Sequence, residues 1–257
     1  CFGVKRALDI VEKTLEKYNG SGKKVYTLGS IIHNPGVVIE LSSKGLISTG
    51  DPEDIEPDSI FIVRSHGMSP KVLKRLAGKN IEIIDATCPF VKKAQAKAKK
   101  LEEQGYFVVV IGNRDHPEVI GIKEHVSGAG VMVIEDISEA SAFLNKKKVG
   151  VVFQTTQTAD KVKEIVSELI DKCRELIIYN TICDTTKNRQ DSTRKLSGKV
   201  DIMIIAGGRN SANTTHLADI SSSENSRTYH IESFDEINPE WFKGSEKIGI
   251  SGGASTP

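Results

Sequence analysis

Three cysteines constrain this chain more than any other feature. Cys88 follows the apolar run 81–84 after a short Asp85-Ala86-Thr87 link, Cys183 follows the run 176–179, and Cys1 heads a helical pattern. The intervals between them are 87 and 95 residues. Internal periodicity outranks any single motif, and a period this long exceeds a solenoid turn, so each interval is read as a small α/β domain. A cysteine between the carboxyl end of a strand and a helix start points its sulfur where ligands collect in α/β folds. A helix N-terminus also favours a thiolate.

The residues between the cysteines repeat one order of elements. In the first interval Val4, Ala7, Leu8, Val11 and Leu15 are spaced as a helix. Strands are expected over 25–28, 46–48, 60–63 and 81–84, the last of them buried, with helices over 37–41 and 69–77. The second interval opens on Cys88-Pro89, with Val91, Ala94, Ala98 and Leu101 at helical spacing. It continues with strands over 106–111, 131–134, 149–153 and 176–179 and a helix over 159–169. In the third interval 184–196 reads only as a polar segment, and strands are expected over 202–205, 229–231 and 248–250. Strand–helix alternation predicts parallel sheets. The expected architecture is therefore α/β: three pseudo-equivalent units, 1–88, 89–182 and 183–257, with mostly parallel sheets in a trefoil around one centre. Cys1 lacks a preceding strand and Ser255 a following helix, so further sequence is expected beyond both ends.

Cys173 falls outside the series, in the charged run Asp171-Lys172-Cys173-Arg174-Glu175, which reads as helical and gives it a structural role. Charged residues make up 27% and balance to +1, so no nucleic-acid or membrane field is implied. No apolar run approaches the ~20 residues that span a bilayer.

Three converging thiolates without a fourth suit an iron–sulfur cluster with one open iron. A three-cysteine zinc site, or no metal, remains open on spacing alone. The strand-end loops supply His33, His66, His116, Thr155, Ser211, Asn213 and Ser255. Imidazoles, hydroxyls and amides of this kind can hold a phosphate without fixed Lys or Arg. Helix capping would use several of the same residues, and both readings can hold together. Glu118 stands beside a loop histidine; alone it reads as a surface carboxylate, but facing a dry centre its pKa would rise and make it a proton donor. His125, His216 and His230 receive no role.

Taken in order, Cys1-Phe2-Gly3-Val4-Lys5-Arg6-Ala7, Ile32-His33-Asn34, Ser65-His66-Gly67, Asp85-Ala86-Thr87-Cys88-Pro89, His116-Pro117-Glu118-Val119, Gln154-Thr155-Thr156, Ile182-Cys183, Asn188-Arg189-Gln190, Asn210-Ser211-Ala212-Asn213 and Gly253-Ala254-Ser255 resemble the 4-hydroxy-3-methylbut-2-enyl diphosphate reductase (LytB) family over essentially the whole chain. The resemblance implies a [4Fe–4S] enzyme of the non-mevalonate isoprenoid pathway. Its substrate would be an allylic diphosphate whose hydroxyl meets the open iron, reduced to isopentenyl and dimethylallyl diphosphates. It implies Cys1, Cys88 and Cys183 as cluster ligands. His33, His66, His116, Ser211, Asn213 and Ser255 would contact the diphosphate, Glu118 would donate the proton, and Thr155 would serve the relay beside the substrate. Ferredoxin or flavodoxin is the implied electron donor, and bacterial cytoplasm or a plastid the implied compartment. Ala212 departs from members that carry a serine there. Two other classes stay in view: a non-catalytic iron–sulfur sensor, which an intact Glu118 and Thr155 oppose, and a diphosphate-binding transferase with structural zinc, which the absence of any Cys-x-x-Cys pair opposes.

Overall fold

The structure, a computed structural model, describes residues 1–128 and 130–256; Pro257, the expected end of the third unit, lies outside the described residues. Its strands form three all-parallel sheets. The first contains β1 (Val25–Leu28), β2 (Leu46–Thr49), β3 (Ile60–Val63) and β4 (Glu82–Asp85) in the order β2-β1-β3-β4. The second contains β5 (Phe107–Ile111), β6 (Val131–Ile134), β7 (Lys146–Phe153) and β8 (Cys173–Ile178) in the order β6-β5-β7-β8. The third contains β9 (Ile202–Ala206), β10 (Thr228–Ile231) and β11 (Ile248–Gly252) in the order β10-β9-β11. In every sheet the earliest strand lies between the second and third, so the same winding occurs three times.

The helices are α1 (Phe2–Tyr18), α2 (Pro35–Ser43), α3 (Pro70–Ala77), α4 (Pro89–Glu103), α5 (Pro117–Glu124), α6 (Ile137–Ser141), α7 (Ala159–Ile170), α8 (Asp184–Ser197) and α9 (Ala212–Glu224). None is long and apolar enough to cross a membrane among the described residues. Proline occupies the first turn of α2, α3, α4 and α5. There its fixed φ suits the helix and its missing N–H costs nothing. The helices led by Cys1 and Cys88 each pack on the sheet that follows. Ala7 and Val11 of α1 pack with Val25, Ile60 and Ile62, and Ala94, Ala98 and Leu101 of α4 pack with Val108, Val110 and Val152. Gly150 makes the second contact possible, since a Cβ there would stand 2.5 Å from Leu101 Cδ2.

The structure corrects several sequence expectations. The run 81–84 is not a buried strand: β4 is the edge strand of its sheet, with Glu82 exposed and Ile83 and Ile84 half-buried. Cys173 is not helical but begins β8, the edge strand of the second sheet, whose charged residues face solvent. Charges on an edge discourage pairing with another chain. The polar segment 184–196, given no secondary structure from the sequence, belongs to α8, whose buried face is made of Thr186, Gln190, Thr193 and Ser197.

Candidate active site

All three cysteines of the series occupy the N-cap position of a helix: Cys1 before α1, Cys88 before α4, Cys183 before α8. None makes a side-chain capping bond. All three line one cavity instead. Strand ends deliver two of them, since the N–H of Cys88 donates to Ser65 O at 2.9 Å and the N–H of Cys183 to Thr155 O at 2.9 Å. Gly3 lies so close to Cys88 that a Cβ would meet its Sγ at 2.4 Å, so only glycine permits α1 to start there. Burial pushes the Cys88 thiol up, outweighing the opposite pull of the Phe90 and Val91 N–H groups. The expected preference of a helix start for thiolate is thus present but overridden, and a metal would have to take the proton off.

These thiols are soft donors without other partners, which fits an iron–sulfur cluster.

Across the cavity stand the second helices of each unit. Asn34, His116 and Ser211 are the N-caps of α2, α5 and α9. His33, His66 and His116 form a cluster with ring centroids 4.3, 5.4 and 5.5 Å apart. The Glu118 N–H donates to His116 Nδ1 at 3.1 Å, so that nitrogen is the acceptor and His116 presents its Nε2–H. Burial holds His33 and His66 below the usual histidine range and His116 down to about 3, with the neighbouring positive groups adding to each shift. The imidazoles are neutral donors at pH 7. His33 Nε2, His66 Nδ1 and both side-chain polar atoms of Asn213 are buried without a hydrogen-bond partner. Orphans of this kind call for a ligand. Ser211 Oγ accepts from Thr214 N at 3.4 Å and keeps its proton to donate. Ser255 Oγ donates to His33 O at 2.9 Å, closing the third unit on the first.

The three histidines bring ring nitrogens within 4.8 Å of one another, a spacing that a cation could also use. Arg64 decides against it. Its guanidinium has no carboxylate partner among the described residues, and its charge opposes protonation of all three rings. Imidazoles under the charge of an unpaired guanidinium favour an anion.

Glu118 is only 2% exposed, so it is not the surface carboxylate that its residue type suggests. Thr155 grips it twice, N–H to Oε1 at 2.6 Å and Oγ–H to Oε2 at 2.9 Å. Burial nevertheless wins and pushes its pKa up to about 7. Every residue singled out from the sequence lines this one cavity: the three cysteines of the series, His33, His66, His116, Glu118, Thr155, Ser211, Asn213 and Ser255. Ala212 lines it too, offering no hydroxyl. His216, given no role from the sequence, stands outside the cavity, with its Nδ1 2.7 Å from Thr156 O.

A family model described as "LytB protein" matches residues 1–257. The chain is 46% identical to a protein of Aquifex aeolicus (strain VF5) named 4-hydroxy-3-methylbut-2-enyl diphosphate reductase, covering 100% of this chain and 88% of that one. It is also 46% identical to a Geobacter sulfurreducens protein of the same name, covering 100% and 89%. Among solved structures, one titled as (E)-4-hydroxy-3-methyl-but-2-enyl diphosphate reductase, the terminal enzyme of the non-mevalonate pathway, matches with TM-score 0.73 at 44% identity over 100% of this chain and 91% of that one. The E-1-hydroxy-2-methyl-but-2-enyl-4-diphosphate reductase of Plasmodium falciparum matches with TM-score 0.92 at 30% identity over 100% and 81%. With cysteine-capped helices, histidine cluster and buried acid all in one cavity, and with these matches along its whole length, the chain belongs to the LytB protein family, whose matched members are reductases.

Proposed function

We propose that the protein reduces (E)-4-hydroxy-3-methylbut-2-enyl diphosphate to isopentenyl and dimethylallyl diphosphates, and that Cys1, Cys88 and Cys183 hold a [4Fe–4S] cluster with one open iron. The observation that supports this most is the pairing within one cavity of three uncapping N-cap cysteines with a buried acid poised near neutrality. When bound, the cluster would supply electrons one at a time and a Lewis-acidic iron at its open corner. Balanced, the reaction breaks one C–O bond, consumes two electrons and two protons, and releases water. The electrons come from an external donor such as ferredoxin or flavodoxin.

The chain's own part is binding, alignment and one proton. His116 Nε2–H, His33, His66, Ser211 and Asn213 surround the diphosphate with neutral donors, which fix it by direction more than by charge, and Ser255, whose hydroxyl proton goes to His33 O, stands beside them. Glu118 in its acid form protonates the departing oxygen, and Thr155 Oγ orients that carboxyl beside the substrate. The second proton adds at either end of the three-carbon unit left by the C–O bond, hence two products. In this reading the chain is three units, 1–88, 89–182 and 183–257, each contributing one cysteine and one anion-facing loop, and it works in a bacterial cytoplasm or a plastid.

Anaerobic purification with iron and sulfide analysis, followed by assay with reduced methyl viologen, tests the reading. Iron and sulfide in equal amount, with turnover of the diphosphate, is the expected result. A zinc-only protein, or a full cluster without turnover, overturns it.

A further inference from the structure

His216 lies in α9, one helix turn and a half beyond its N-cap Ser211, and is half-buried. Its Nδ1 is 2.7 Å from Thr156 O. A carbonyl only accepts, so Nδ1 carries the proton. The same carbonyl accepts from Gln190 Nε2 of α8 at 3.3 Å. Gln154 Nε2 holds the Thr156 hydroxyl from the other side at 3.0 Å. The residue before this clamp is Thr155, whose N–H and Oγ–H both point at Glu118 and whose own carbonyl is held by Cys183 N–H.

The equivalent junction between the first two units carries no such imidazole. Ser65 and Thr155 are equivalent, each accepting from the N–H of a helix-leading cysteine. In α5, the position five residues past the N-cap His116 is Gly121, whose would-be Cβ lies 3.9 Å from His66 O. The imidazole is supplied only where the loop carries the threonine that grips the buried acid.

We propose that His216 is a positioning residue for proton delivery, its Nδ1–H fixing the Thr156 carbonyl and thereby the aim of Thr155 at Glu118. The inference rests on the reductase reading. Its test uses the anaerobic holoenzyme. His216→Phe keeps the ring volume without the donor and should lower kcat about tenfold, with KM and iron content within twofold of wild type. His216→Asn presents an amide N–H near the Nδ1 position and should restore most of the rate. In a Thr155→Val background, His216→Phe should cost less than a further twofold, because both act through one group. Amide hydrogen exchange over 154–157 should quicken in His216→Phe and not in His216→Asn. The proposal is overturned if Asn fails to rescue, if the two losses multiply, if KM alone rises, or if iron is lost. Wild type with a full cluster and no turnover would sink the reductase reading and leave hydrogen exchange to judge the clamp; an active wild type with an unimpaired His216→Phe would sink only the clamp.

Discussion

The loops after β3 and β7 share a frame and differ in purpose. Both follow a buried central strand, both lend a carbonyl to a cysteine N–H at 2.9 Å, and both are followed by a cysteine-led helix with a buried glutamine seven residues on, Gln95 in α4 and Gln190 in α8. At the first, the side chain after Ser65 is His66, a neutral imidazole with an orphaned nitrogen in the cavity. At the second, Thr155 turns both of its donors onto Glu118. The partner helices vary in the same way: the second residue of α2, α5 and α9 is Gly36, Glu118 and Asn213 respectively. One backbone arrangement thus carries an orphaned imidazole on one side and the two donors to a buried acid on the other. Division of labour needs only side-chain changes at fixed points.

The hardest test of that division is Glu118→Gln. It should lower kcat about a hundredfold or more, the range expected for a lost general acid, while iron content and diphosphate affinity stay near wild type. Wild-type turnover should also fall as pH rises through about 7, where Glu118 loses its proton. Any residual activity of the Glu118→Gln variant should lack that limb. The same shift makes the folded state hold this proton more tightly than the unfolded chain, so the contribution of Glu118 to stability is full below the ordinary carboxylate range and declines as pH rises to about 7.

His66→Ala probes the other loop. It should raise KM for the diphosphate about tenfold, the equivalent of about 1.4 kcal/mol, and leave the position of the pH limb unchanged. Pyrophosphate competition measures it directly, and a moved limb would mean that the two loops do not divide the work.

Gly67→Ala tests where the likeness of the loops ends. Gly67 has φ +81° and a would-be Cβ 2.6 Å from Gln95 Nε2, whereas the equivalent Gln157 is an ordinary residue. Strain and overpacking together should cost about 1–3 kcal/mol, read as a fall in thermal midpoint. The finest comparison is between the two glutamines. Gln95 Nε2 has no partner, so Gln95→Leu should be neutral or slightly stabilising. Gln190 donates to Thr156 O and Gln157 O, so Gln190→Leu should cost about 1–2 kcal/mol. Denaturant midpoints would settle the pair.

The repeat, the parallel sheets and the cavity residues were legible because they depend on spacing and on strand ends. Sequence periodicity failed where burial and polarity part company. Helix α8 buries Thr186, Gln190, Thr193 and Ser197, and α9 buries Asn213, Thr214 and Ser221 beside Leu217 and Ile220, so α8 has no apolar stripe and α9 only a short one. At the edges only part of the reading failed: β4 is the expected strand but half-exposed, and the strand expected over 176–179 begins earlier, at Cys173, within charged residues. Glu118 could be suspected from its neighbour His116, but its burial comes from three units meeting, which local sequence does not record.

The cysteine caps and the loop caps have a joint electrostatic consequence. Cys1, Cys88 and Cys183 start α1, α4 and α8, while Asn34, His116 and Ser211 start α2, α5 and α9. Five of these caps line the same cavity, and at the sixth start it is lined by His33, the residue before Asn34. Each aligned helix carries a macrodipole worth about half a positive charge at its N-terminus, so the six together present roughly +3. A chain of net charge +1 thereby gathers a strongly positive centre out of peptide groups. Such a field does not titrate and needs no lysine to be held in place.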